Sequence, residues 1–147
     1  MLDMKNRAIA AELIRQYLDC QLTNDEFDDQ YPRSEDEAVR TFWGILWFSW
    51  DDRYTHKLEG KHQLSDMNRA MIERCITFLQ TDLEYTGPLA GRSWVNMVQS
   101  AYKRLVGNEE RRVIQGCFDD PWWPFATEDQ FLLHCHIAAA PESAVKS

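Results

Sequence analysis

The chain has 147 residues, the size of one domain, with 44% of them hydrophobic and 12% aromatic, which is enough for a core without a disulfide or metal staple. That composition excludes collagen, low-complexity disorder and a small cystine scaffold. Sixteen Lys plus Arg against 24 Asp plus Glu give a formal charge of -8, which repels a phosphate backbone and favours a basic protein over nucleic acid as a partner.

The first residues lack the continuous apolar stretch of a secretory signal, which predicts a cytoplasmic protein whose four cysteines, Cys20, Cys75, Cys117 and Cys135, stay reduced. Between Lys5 and Cys20, Ile9, Leu13, Ile14, Tyr17 and Leu18 recur at three- and four-residue steps and predict a first amphipathic helix. Thr23 and Glu26 have the spacing of a capping box, with Leu22 and Phe27 as a hydrophobic staple. The short second helix they open should end by Tyr31, because Pro32 disfavours helical geometry in the residue before it.

Ser34 and Glu37 read as a second capping box, opening a helix from about Glu35 to Tyr54. Val39, Phe42, Trp43, Leu46, Trp47, Trp50 and Tyr54 make one stripe along it, so this helix is expected at the centre of the fold. Its apolar run, Phe42 to Trp50, is far shorter than the roughly 20 residues needed to cross a bilayer. After a polar connector over 59–63, Ser65 should cap a fourth helix carrying Met67, Met71, Ile72, Cys75, Phe78 and Leu79 and ending near Tyr85. The stretch from Gly87 to Gly91 reads as a loop. Ser93 is then positioned to cap a fifth helix with Trp94, Val95, Val98, Ala101, Tyr102 and Leu105 on one side, ending at Gly107.

Residues 108–118 suit either helix or strand, with helix preferred. Asp119 to Phe125 cannot be regular helix because Pro121 and Pro124 each restrict the residue before them. Thr127 and Gln130 form a third capping box, before a last helix with Phe131, Leu132 and Ile137. The expected fold is therefore all-α, a single-domain bundle of five to seven helices around a central tryptophan-rich helix over residues 1–140, with a frayed tail at 141–147.

Three features bear on function. From Asp19 to Glu37 there are eight acids and one base, a patch able to steer a cationic protein; its candidate partner-binding residues are Asp25, Glu26, Asp28, Asp29, Glu35 and Asp36. Dipole, capping and solvation account for several of the same acids. The second feature is Asp51-Asp52-Arg53-Tyr54-Thr55-His56, in which a continuing helix sets Asp52 and His56 on one face, as an acid–base or metal-binding pair requires. His62 is the nearest further ligand, whereas His134 and His136 point apart on a helix, so ordinary ion pairing, capping and surface histidines are the preferred reading and no cofactor is implied. Third, adjacent residues in an extended loop point to opposite sides, so one of Trp122 and Trp123 is expected to cover the core and the other to be available as a partner anchor.

Residues 24–29, Trp47 to His56, Phe78 to Tyr85 and Trp123-Pro124-Phe125 together resemble a group of small uncharacterised bacterial cytosolic proteins. In size and acidity such proteins are similar to the immunity proteins of toxin systems. The favoured reading is a non-enzymatic protein-binding module, in its most concrete form an immunity protein neutralising a basic toxin domain. The competing reading is a metal-binding protein or hydrolase-like enzyme built on Asp51, Asp52 and His56, and the plainest one is a structural or oligomeric protein.

Overall fold

The computed structural model describes residues 1–49, 54–88, 90–91, 116–117 and 119–139, with side chains at these positions except 47–49 and 136–139. Among the described residues the protein is all-α. The helices of these residues are α1 (Met4–Leu18), α2 (Asn24–Gln30), α3 (Glu37–Ser49), α4 (Asp66–Leu79) and α5 (Glu128–Ala139), with a 3₁₀ turn at Gly60–His62, and no described residue lies in a strand. None of these helices is long and apolar enough to cross a membrane. The expected helix over 93–107, most of 108–118, and the tail at 141–147 lie outside the described residues.

α1 packs most extensively on α4, while α3 lies against both and α5 against α4. The contact face of α1 is Arg7, Ala10, Ala11, Leu13, Ile14, Tyr17 and Leu18, one side of a 3.6-residue period. Ile9 falls off that side and is exposed, as is Met67 on α4. α4 contributes Met71, Ile72, Cys75, Ile76, Phe78 and Leu79. From α3 come Val39, Phe42, Trp43, Ile45 and Leu46, all buried. The side chains of Trp47 and Trp50, which were to complete a central tryptophan helix, lie outside the description.

Phe42 is the hub of an aromatic cluster, with the rings of Phe78, Tyr85 and Trp123 standing edge-on to it at 5.7, 5.5 and 5.5 Å. Edge-to-face contact sets the positive rim of one ring against the negative face of the next. The Trp123 indole Nε1 donates to the Tyr85 hydroxyl at 3.0 Å, which in turn donates to the Pro88 carbonyl at 2.8 Å. Gly87 permits this closure: a Cβ there would come within 2.7 Å of the Tyr85 hydroxyl oxygen. Arg74 on α4 holds the same loop through its backbone, with Nε donating to the Trp123 carbonyl at 2.8 Å and Nη2 to the Asp120 carbonyl at 3.3 Å.

Helix boundaries follow local chemistry, with three departures from expectation. The Thr23–Glu26 box forms in full and α2 ends at Gln30. Ser65 caps α4 by accepting from the Asn68 amide at 3.2 Å; Ser65→Ala should therefore lower stability by about 1 kcal/mol, read from the midpoint of urea unfolding. At α3 the cap is Asp36, not Ser34, since Asp36 Oδ1 accepts from the Ala38 amide at 3.0 Å and its carbonyl accepts the Arg40 amide. Ser34 Oγ instead accepts the Asp36 amide and donates to Asp3, while Glu37 pairs with Arg40 and accepts the Gly91 amide. α4 stops at Leu79 rather than near Tyr85, because Thr81 doubles back on the Phe78 carbonyl through its amide and its hydroxyl. At α5, Gln130 donates its amide to Thr127 Oγ1 and returns a bond to the Ala126 amide, one residue before the expected position.

Candidate functional site

The acids predicted to face a partner divide into two groups. Asp36 belongs to the interior: Asp36 and Arg7 are each 1% exposed, and the guanidinium grips the carboxylate in two places, Nε to Oδ2 at 2.7 Å and Nη2 to Oδ1 at 3.1 Å. The Asp3 amide also donates to Oδ2, and Arg7 Nη1 donates to the Thr81 carbonyl at 2.9 Å. Burial by itself would raise the Asp36 carboxyl, but the Arg7 guanidinium and the Asp3 and Ala38 amides outweigh it and hold the group below the ordinary carboxylate range. As a residue for recognising a partner, Asp36 is thereby corrected: its charge is used up inside the fold.

Asp25, Glu26 and Asp29 remain on the exposed side of α2. Asp25 accepts from the Thr55 hydroxyl and Glu26 from the Thr23 amide. Asp28 is half-buried and accepts the Trp43 indole N–H at 2.8 Å. Its carboxyl is shifted upward by burial first and then by repulsion from Asp29 and Asp25, with the Trp43 hydrogen bond and Arg33 opposing. Glu35, 86% exposed, reaches Arg40 only at 3.4 Å.

The tryptophan pair separates as alternation along an extended loop requires. Trp123 is 3% exposed and packed in the aromatic cluster, so its candidacy as a partner anchor is overturned. Trp122 is half-buried with its ring 5.2 Å from that of Phe131, leaving it the outward member of the pair.

The histidine reading changes more. Asp51 and Asp52 lie outside the described residues, and His56 is not on a continuation of α3 but in a non-helical connector, so the proposed shared helical face with Asp52 does not exist at the His56 end. Tyr54, expected on the buried stripe, is 64% exposed. Asn24, which the sequence reading passed over, fixes this connector. Its amide donates to the His56 carbonyl at 2.9 Å, its Oδ1 accepts the His56 amide at 2.8 Å, and its Nδ2 donates to the Tyr54 carbonyl at 3.1 Å. The Cys20 thiol donates to the Leu58 carbonyl from the end of α1.

His56 and His62 do meet, but as parallel rings 3.8 Å apart at 19°. Imidazole lone pairs lie in the ring plane, so two stacked rings aim them side by side and not at a common ion. Among the described residues no group of three or more His, Cys, Asp or Glu is placed to hold a metal ion. Thiol chemistry is also disfavoured at three of the four cysteines. Burial raises Cys75 and Cys135 and pushes Cys117 up to about 11, keeping these thiols protonated at neutral pH. His134 is stacked over Phe125 at 5.9 Å.

The chain matches no protein-family model, no curated protein and no solved structure.

Proposed function

We propose that the protein is a non-enzymatic binding module that offers the acidic face of α2 to a basic protein surface, an immunity protein against a basic toxin domain being its most concrete form. The observation that carries this reading is the crowding of carboxylates on one short helix. Asp25, Glu26 and Asp29 stay exposed there, and Asp28, raised first by burial and then by repulsion from Asp29 and Asp25, lies among them. Carboxylates that repel one another in the free protein are relieved when a cationic surface arrives, which favours encounter with basic partners. Trp122, half-buried at the edge of its loop, is the aromatic residue this reading adds as a further contact.

The test begins with recovery of a partner from the native host and continues with its association kinetics. Replacing Asp25, Glu26 and Asp29 by Asn, Gln and Asn should slow association by about tenfold or more at low salt, and the wild-type rate should fall as salt rises. Trp122→Ala should instead act through faster dissociation. An unchanged, salt-insensitive rate for the triple variant would remove α2 as the recognition surface.

A further inference from the structure

We infer that the outward face of α1 pairs with the same face of a second copy of this chain, the two helices running antiparallel about a two-fold axis between Ala8 and Ile9. This pairing is independent of what α2 binds. α1 turns Arg7, Ala10, Ala11, Ile14 and Leu18 into the fold, and its other side carries Met4, Lys5, Ala8, Ile9 and Glu12, all exposed. Leu2, just ahead of the helix, is exposed as well. Large aliphatic side chains gathered at one end of one helix and interleaved with charge have the character of a contact surface.

The charges of α1 point to the occupant. Arg7 is paired with Asp36, Arg15 with Glu73, and Asp19, at the C-terminal cap, with Arg69. Asp3, at the N-terminal cap, is engaged by Ser34 and Asn6. Lys5 and Glu12 are left over. Among the described residues neither has an ion-pair partner, and Glu12 accepts from Gln16 of its own helix at 2.9 Å. Both lie on the outward face, but two turns, about 10 Å of helix, keep them from each other.

Opposite charges two turns apart are complementary to themselves when the face meets its own copy antiparallel. Lys5 of each copy then reaches Glu12 of the other, and the two-fold axis makes both contacts at once. In the same register Ile9 of one copy falls over Ala8 of the other, where a short side chain leaves room for it. Antiparallel helices also set opposite dipole ends together. A parallel pairing would oppose Lys5 to Lys5 and Glu12 to Glu12. A partner surface of one sign would satisfy one of these charges and repel the other, whereas a second copy satisfies both. α1 has 15 residues, so its face is a strip of about 22 by 10 Å. That is short of the roughly 800 Å² per partner of a standard stable interface, and the dimer is expected to be weak.

Sedimentation equilibrium of the full chain at low salt, from about 10 μM to about 1 mM, should therefore show monomer and dimer in concentration-dependent exchange. Lys5→Glu and Glu12→Lys should each weaken the dimer by about tenfold, because the axis counts each reversal twice although one exposed pair is small. The two reversals in one chain restore both contacts and should bring the dimerisation constant back to within about threefold of wild type. Far-ultraviolet circular dichroism of each variant should match wild type, since both side chains are exposed. Should a reversal disturb the fold, Ile9→Gln changes no charge and should weaken the dimer by about tenfold through the lost apolar contact. A chain that stays monomeric to about 1 mM, a dimer indifferent to the single reversals, or one that the double reversal fails to restore overturns the pairing. Flotation of a monomeric chain with phosphatidylcholine vesicles, lost in Ile9→Gln, would give the face to a membrane surface and likewise overturn it.

Discussion

Replacing Asp36 by alanine is expected to lower the unfolding free energy by about 3 to 5 kcal/mol, because it strands the Arg7 guanidinium in the interior. The same change also removes the cap of α3 and the acceptor of the Asp3 amide. Urea unfolding monitored by tryptophan fluorescence measures the loss. Arg7→Met combined with Asp36→Leu should recover much of it, since apolar groups of similar volume carry no desolvation penalty. Acid gives a second reading of the same bridge. The folded carboxyl lies below its unfolded value of about 3.9, so the bridge contributes fully above roughly pH 4 and its contribution is lost as pH falls through the folded value. The steep acid limb of the wild-type stability curve should therefore be flattened in Asp36→Ala. A cost under 1 kcal/mol with an unaltered acid limb would show that the bridge does not hold α1 to α3.

Trp123→Ala should cost about 3 to 5 kcal/mol, the range for emptying a buried aromatic site. The indole fills the space beside Phe42 and Tyr85 and satisfies the Tyr85 hydroxyl, so its removal leaves both a cavity and a weakened polar pair. Trp122→Ala, one residue away, should cost less, about 1 kcal/mol, because that ring is only partly covered and lies against Phe131 at the edge of the cluster. Midpoints of urea unfolding with unchanged slope separate the two. Comparable losses for both variants would mean that Trp122 belongs to the core as fully as its neighbour.

Periodicity and capping chemistry made the helical class legible, because both are local: the Thr23 and Ser65 caps and the buried faces of α1 and α4 follow from spacings of three and four residues. Arg7 was legible in principle. It falls on the same side of α1 as Ala10, Ala11, Ile14 and Leu18, and a charged residue at an apolar position asks for a buried counter-charge. Its partner was not, since nothing local joins residue 7 to residue 36; the capping reading of Ser34 and Glu37 left Asp36 as one more surface acid. The same limit governs the candidate site. Asp25, Glu26 and Asp29 could be placed on α2 from spacing alone, while Asn24 and His56 are brought together across 32 positions by hydrogen bonds that no motif encodes. The helical pairing of Asp52 with His56 failed because it required a helix continuing through His56, which lies in a non-helical connector.

Arg74 grips the tryptophan loop by two main-chain carbonyls, those of Trp123 and Asp120. Every residue type supplies a carbonyl, so these two bonds do not themselves depend on side-chain identity. Substitution at Pro121 or Trp122 alters what the loop displays without loosening its mooring to α4. Held by its backbone and inward at Trp123, the loop can diversify its outward chemistry by single mutations, each tried on a scaffold that stays put.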